Sequence, residues 1–170
     1  ERMAMAYQTG RRAVELVRED LRPSQVITRA ACENAIAVAS AIGASTNCPP
    51  HLIAIARHAG VELSLEDWQR VGRELPLLVD CQPAGRFLGE GFFRAGGVAA
   101  VMRELLDAGV LRAEALSVSG QQLGEALAQV EVLDREVIRP FAAPLKERAG
   151  FVVLSGNLFD AAILKASVIT

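Results

Sequence analysis

Apolar residues recur at three- and four-residue spacing from Glu1 to Leu21, where Met3, Ala6, Gly10, Ala13, Val14 and Val17 fall on one side of a helix. Arg11 and Glu15 sit four apart on its solvated side, and Pro23 ends it. Thr28 is placed to cap a second helix. In that helix the run Ala35 to Ile42 has almost no polar face, so neighbours bury it on more than one side. Its alternating alanines keep it slim enough for close contacts. The segment Gly43-Ala44-Ser45-Thr46-Asn47-Cys48-Pro49-Pro50 breaks the pattern, and His51 to Ala59 resumes it. Proline is tolerated in a first helical turn, which puts Asn47 or Cys48 near the N-cap and Gly60 at the stop. Ser64 with Asp67, ahead of Trp68 and Val71, forms a capping arrangement for a short fourth helix.

In the second half the pattern shortens. Leu77-Leu78-Val79 reads as a strand ending at Asp80, and Gln82 to Gly91 reads as a glycine-rich loop. Gly96 and Gly97 lead into a helix over Val98 to Ala108, with Val98, Val101, Met102 and Leu105 as its stripe and Gly109 as its stop. Ala115 to Val118 suits a short strand, followed by Ser119 as cap of a helix through Val130. Pro140 and Pro144 mark a linking region and the one plausible domain boundary. Beyond it, Phe151 to Leu154 and Ala162 to Leu164 predict two strands around a Gly156-Asn157 turn. From the uncapped start at Glu1 and the apolar finish toward Thr170 the chain is expected to be the interior piece of a longer protein, because an apolar strand needs sheet neighbours.

Composition narrows the class. At 170 residues with 51% hydrophobic and 22% charged side chains, the chain is long enough for one real core and too apolar to be disordered. A net charge of -2 with no basic run disfavours nucleic acid. The longest apolar run spans eight residues, far below the roughly 20 a membrane helix needs. No basic leader precedes an apolar run, and a cytoplasmic location is expected.

Candidate chemistry concentrates at one break. Ser45, Thr46 and Asn47 run into a helix start, where unpaired N–H groups and the dipole favour a carboxylate or phosphate. The same side chains suit simple capping, and both readings stand at this level. Cys48 and His51 lack a third metal ligand nearby, and His58 lies two helical turns further on. Cys32, Cys48 and Cys81 show no cluster spacing. Asp80 and Glu90 are candidate carboxylates that equally suit a turn and a surface. Lys165 suits edge protection as well as function. No dinucleotide fingerprint or phosphate loop occurs.

The segments Glu33 to Val38, Gly43 to Asn47 and His51 to Ala56 resemble the dihydroxy-acid dehydratase and 6-phosphogluconate dehydratase family. The similarity continues through Pro76 to Asp80, Ala95 to Val98, Leu116 to Gly120 and Gly156 to Leu158, in the family's order. Cys48-Pro49-Pro50 and the run Gly156 to Lys165 resemble the sugar-acid branch, whereas Ala44 and Cys48 depart from the commoner family residues. The resemblance implies an α/β architecture: residues 1–144 as the later, helix-rich part of a large three-layer α/β domain, and residues 145–170 as the first strands of a C-terminal β-barrel-like domain. It implies a hydro-lyase that converts a 2,3-dihydroxy sugar acid such as arabinonate or xylonate to a 2-keto-3-deoxy acid, in a homo-oligomer when full length.

The same resemblance implies an iron-sulfur cluster acting as Lewis acid on the departing hydroxyl, Mg2+ at the carboxylate end, and a serine base. Those groups lie on chain outside these residues, so the fragment alone is expected to bind no cluster and to be inactive. Ser45, Thr46 and Asn47 are the residues placed nearest the shared site, for polar positioning. Two alternatives remain: a dihydroxy-acid dehydratase of branched-chain amino-acid synthesis, and a non-catalytic helical scaffold or assembly module.

Overall fold

A computed structural model describes residues 2–169. Glu1 and Thr170, where the expected first helix begins and the last apolar segment ends, lie outside the described residues. Eight helices are described: α1 (Arg2–Arg18), α2 (Pro23–Val26), α3 (Arg29–Ala41), α4 (Cys48–His58), α5 (Leu65–Asp67), α6 (Gly89–Arg94), α7 (Gly97–Asp107) and α8 (Leu123–Ala126). Helix α5 runs on into a π-helical turn, Trp68–Gly72. Strands β1 (Phe151–Leu154) and β2 (Ala162–Lys165) form an antiparallel hairpin in which Phe151 faces Lys165 and Leu154 faces Ala162. A 3-10 turn, Ala166–Val168, follows. The result is a helix-rich α/β arrangement with one small sheet among the described residues. No described helix is long and apolar enough to cross a membrane.

Helix α3 is the axis of this arrangement. Thr28 caps it by accepting the Ala31 N–H at 3.3 Å, and its apolar circumference is buried as the pattern predicts. One side, through Ala37, Val38 and Ala41, packs with Leu78, Ala100, Val101, Leu105 and Ile138 into the main core. The opposite side, through Ile36 and Ala39, packs with Trp68 and Phe151. The Trp68 and Phe151 rings meet edge to face, 4.9 Å between centroids. The buried Asn34 of α3 clasps the backbone of Arg112, donating to its carbonyl at 3.0 Å and accepting its N–H at 2.8 Å.

Small residues set how closely the hairpin approaches. A Cβ at Gly72 would lie 2.6 Å from Ser40 Oγ, and a Cβ at Gly150 would overlap the Gly72 carbonyl oxygen. Ser40, whose hydroxyl donates back to the Ile36 carbonyl at 2.8 Å, Gly72 and Gly150 thus form a seam in which the Gly72 and Gly150 backbones touch and the small Ser40 side chain lies against both. The hairpin is further tied where the Val153 N–H donates to Gln69 Oε1 at 2.8 Å.

Several expected elements differ. Leu77 to Val79 is extended, yet it makes single bridges to Lys146 and Ile138 rather than a strand ladder. Pro140 and Pro144 lie between those partners and lack the N–H groups a ladder needs. Ala115 to Val118 makes only the Leu116 to Gln122 bridge. Ser119 does not cap a helix; its hydroxyl lies 2.6 Å from that of Ser117. Gly120 has φ +85°, so helical geometry starts only after Gln122 and ends at Ala126. The glycine-rich stretch contributes the unforeseen α6, and Pro23 starts α2 instead of ending the helix before it, which stops at Arg18, where Asp20 turns the chain at φ +52°. Helix α1 forms, but Met3, Val14 and Val17 of its apolar stripe are exposed. Arg12 pins it by donating to the Val118 carbonyl at 2.7 Å and to Glu19.

An ion network joins α3 to the π-helical turn. Arg29 donates to Asp67 and to Glu33, and Arg70 donates to Glu33 at 2.6 Å and Asp67 at 3.1 Å. The Ser64 N–H donates to Asp67 Oδ2 at 2.9 Å, as the capping pattern predicts. Burial alone raises the Asp67 carboxyl, but the bonds from Arg29, Ser64 and Arg70 outweigh it and hold its pKa at about 2.

Two outcomes follow from this packing. Gly150→Ala is expected to lower the unfolding free energy by about 3 kcal/mol or more, because backbone and not a flexible side chain blocks the added carbon. Gly156→Ala, with open space around it, should leave urea unfolding nearly unchanged. Because Asp67 titrates lower in the folded chain than in the unfolded one, its contribution is complete above about pH 4 and disappears as pH falls toward its folded value. Acid titration of stability should show a loss of about 1–2 kcal/mol from this group, after allowance for the exposed arginines. Asp67→Asn should be less stable at neutral pH and lose less over that window.

Candidate functional site

The α3–α4 junction is built by a helix end and a helix start that follow one another within six residues. At the end of α3 the Ala44 N–H bonds the Ala39 carbonyl at 2.9 Å and the Gly43 N–H bonds the Ser40 carbonyl at 3.1 Å. This is a Schellman closure, with Gly43 in the left-handed region at φ +63°. A side chain there would also press on Leu77 and Ser167, at 3.0 and 3.2 Å. The chain then turns outward and exposes Ser45, Thr46 and Asn47 before α4 begins.

The backbone of that start is not free. The Asn47 N–H donates to Ser45 Oγ at 3.2 Å. The Cys48 N–H donates to the Ser45 carbonyl at 2.9 Å, and the His51 N–H donates to the Asn47 carbonyl at 3.3 Å. Pro49 and Pro50 have none to offer. The expectation of unpaired N–H groups at this helix start is therefore corrected for the helix itself, where the prolines remove two donors and local turns engage Asn47, Cys48 and His51. The Ser45 and Thr46 N–H groups of the loop have no partner among the described residues. Asn47 occupies the cap position without a side-chain cap bond. What the loop presents is side-chain chemistry: the Thr46 hydroxyl and the Asn47 carboxamide make no hydrogen bond to other described residues.

Beside this loop lies a cleft of about 400 Å³, lined among others by Ser45, Thr46, Cys81, Gln82, Phe92 and Lys165. Three separate parts of the chain meet there: the α3–α4 junction, the segment after Asp80, and the end of β2. Lys165 donates to the Gly43 carbonyl at 3.1 Å and is the cleft's one charged lining group. Thr46 also lines a wider depression of about 960 Å³ with Arg57 and His58 of α4 and Ala161 and Ile163 of the hairpin. Neutral donors plus one ammonium suit a small hydroxylated anion. Neither lining holds a carboxylate.

The remaining candidates separate cleanly. Asp80 is buried and spans a turn, accepting the Arg86 N–H at 2.7 Å and the Arg86 guanidinium at 2.6 Å. Burial pushes its carboxyl up, but the Arg86 bonds prevail and hold it below the usual carboxylate range. It shapes the wall of the cleft and does not open into it. Glu90 is exposed and pairs with Arg94 one turn on, at 2.7 Å. His51 and His58 are exposed along a shallow groove against α2. Cys32 is buried in α3, where burial pushes its thiol up; Cys48 packs against the Trp68 cluster; Cys81 lines the cleft. Among the described residues no three His, Cys, Asp or Glu side chains converge as a metal site. Gln82, Phe92 and Arg57 were not singled out from sequence, since none falls in a motif and only the fold brings them to Thr46.

Comparison with known proteins fits this junction into a larger context. The family model for the dihydroxy-acid/6-phosphogluconate dehydratase N-terminal region matches residues 1–126. The chain belongs to this family. Over 99% of its length it is 53% identical to D-xylonate dehydratase of Caulobacter vibrioides, covering 28% of that protein. It is 46% identical to L-arabinonate dehydratase of Rhizobium leguminosarum over 98% of its length, covering 29% of that protein. It is 43% identical to dihydroxy-acid dehydratase of Pyrococcus abyssi, covering 31% of that protein. The chain thus spans less than a third of the length of these curated relatives.

The turn behind the cleft is directly testable. Asp80→Ala leaves the Arg86 N–H without its acceptor and removes a largely buried anion from its partner. A loss of about 1–3 kcal/mol in denaturant unfolding is expected, below the fully buried range because the Arg86 side chain is mostly exposed. Arg86→Ala should be comparably destabilising, as it strands the Asp80 carboxylate.

Proposed function

We propose that the polypeptide carrying this chain is a hydro-lyase that dehydrates a 2,3-dihydroxy sugar acid, of the xylonate or arabinonate type, to a 2-keto-3-deoxy acid. The observation that carries this reading is the 53% identity to a D-xylonate dehydratase across nearly the whole chain. The cleft supports it, because its hydroxyls, carboxamide and single ammonium match the oxygens of a polyhydroxy acid.

In such a reaction the C2 proton leaves, the C3 hydroxyl departs as water, and the resulting enol becomes the ketone. The groups in this cleft bind and orient. Thr46 of the lining, and Asn47 next to it on the exposed loop but outside the lining itself, have unpaired side-chain donors and acceptors for substrate hydroxyls, and Ser45 holds the loop's turn. None is paired with a base that would make it a proton acceptor. An iron-sulfur cluster and Mg2+ are part of this proposal for the full-length enzyme, where they supply Lewis acidity at the leaving hydroxyl and the carboxylate. The described residues do not fit either group, since Cys32, Cys48 and Cys81 lie on separate elements and no ligand set converges among them. Those ligands and the base belong, in this reading, to chain beyond these 170 residues. The wider reading keeps a cytoplasmic homo-oligomer, a three-layer α/β domain over 1–144 and a barrel-like domain opening at 145–170.

A second reading, dehydration of a branched-chain dihydroxy acid, is favoured by the 45% identity to the Koribacter versatilis dihydroxy-acid dehydratase. A substrate panel on the purified full-length polypeptide separates them. Sugar acids should exceed branched-chain dihydroxy acids in kcat/KM by at least about tenfold. The reverse order would replace the first reading with the second. Asn47→Ala should raise KM for the sugar acid by about tenfold with kcat little changed, the mark of a binding group. Unaltered KM would remove Asn47 from the site.

A further inference from the structure

We infer that Lys165 is a positioning residue for the Ser45-Thr46-Asn47 loop, acting through the Gly43 carbonyl that it binds. The inference rests on the proposed function for its catalytic consequence, and on geometry alone for the positioning itself.

Segment 43–47 is held at both ends by its own helices: Gly43 and Ala44 bond back to α3, while Asn47 and Cys48 bond to Ser45. Among the described residues, the Lys165 ammonium at 3.1 Å is the one hydrogen-bond donor from outside α3 and α4 that reaches this segment. The Gly43 carbonyl is the hinge of the loop, since the left-handed residue there sets the direction in which Ser45 leaves the helix. A donor on that carbonyl fixes the orientation of the peptide that starts the loop. The ammonium has three donors and spends one on Gly43, so it also faces the cleft that Ser45 and Thr46 line.

The far end of this tie is itself rigid. Lys165 faces Phe151 in the hairpin register, and Phe151 is buried on Trp68. The next residue is held from both sides: Ala166 N–H bonds the Gly150 carbonyl at 2.9 Å, and the Ala166 carbonyl accepts from Lys146 Nζ at 3.0 Å. Ser167 then packs against Gly43. The hairpin therefore transmits a fixed position to the loop, where a surface lysine on a free strand would not.

The test uses the full-length holoenzyme with Lys165→Met, which keeps the apolar stem and loses the donor, and Lys165→Arg, which keeps a donor. Amide hydrogen exchange should rise at least tenfold at the hydrogen-bonded amides of Ala44, Asn47 and Cys48 in Lys165→Met and stay unchanged in α7. KM for D-xylonate should rise at least tenfold with kcat within threefold, and Lys165→Arg should recover most of the loss. In an Asn47→Ala background, Lys165→Met should cost less than threefold further, because the loop it positions has already lost its contact. Unchanged exchange at the loop overturns the inference, whatever the activity. So do an unchanged KM, fully additive effects with Asn47→Ala, or no recovery by arginine. If the wild-type enzyme turns over no sugar acid, the proposed function falls and the exchange measurement alone decides the positioning. Should Lys165→Met fail to fold, Lys165→Leu, which also lacks a donor, takes its place under the same criteria.

Discussion

The fold depends on how closely backbone can approach α3. Gly72 and Gly150 replace side-chain volume with contact between main chains beside the small Ser40 side chain, and the larger groups on either side then find their places. Trp68 and Phe151 meet over Ile36 and Ala39 only because the π-helical turn and the hairpin come in to that distance. Dispersion contacts of this kind are individually small, yet any added atom in the seam has nowhere to go. A helix of larger residues would hold the hairpin away from the α3–α4 junction, and Lys165 would not reach Gly43.

The same economy shapes the junction. Gly43 ends α3, accepts Ser167 and Leu77 against its bare Cα, and offers its carbonyl to Lys165. One residue thus joins a helix end, an extended core segment and the sheet. The prolines at the start of α4 supply no backbone donor, local turns engage the N–H groups of Asn47 and Cys48, and the Thr46 and Asn47 side chains stay exposed without a hydrogen-bond partner among the described residues. Neither lining around the loop holds a carboxylate among the described residues.

Electrostatics reinforces geometry instead of forming the site. The Arg29, Glu33, Asp67 and Arg70 network fastens the π-helical turn to α3, and the Asp80 to Arg86 pair closes the turn behind the cleft. Both depressed carboxyls are explained by donors that outnumber the effect of burial. A perturbed carboxyl is often a sign of catalysis; here each is fully engaged by arginine and backbone, the signature of a structural pair.

The sequence by itself determined the helices with strong periodicity and clear stops: α3 with its Thr28 cap, α4 between Pro49 and Gly60, α7 after Gly96, and the hairpin around Gly156. These are decided by local rules of spacing, capping and left-handed glycine, so they are legible without neighbours. The loop Ser45-Thr46-Asn47 was visible for the same reason, as a polar break between two apolar helices. Tertiary structure alone decided what the extended segments pair with. Leu77 to Val79 meets single residues of a proline-interrupted stretch some sixty positions away, and no local pattern encodes that partner. It likewise decided that Lys165 reaches Gly43 across 122 positions. Long-range contacts depend on shape complementarity of the whole core, which periodicity along one segment does not contain.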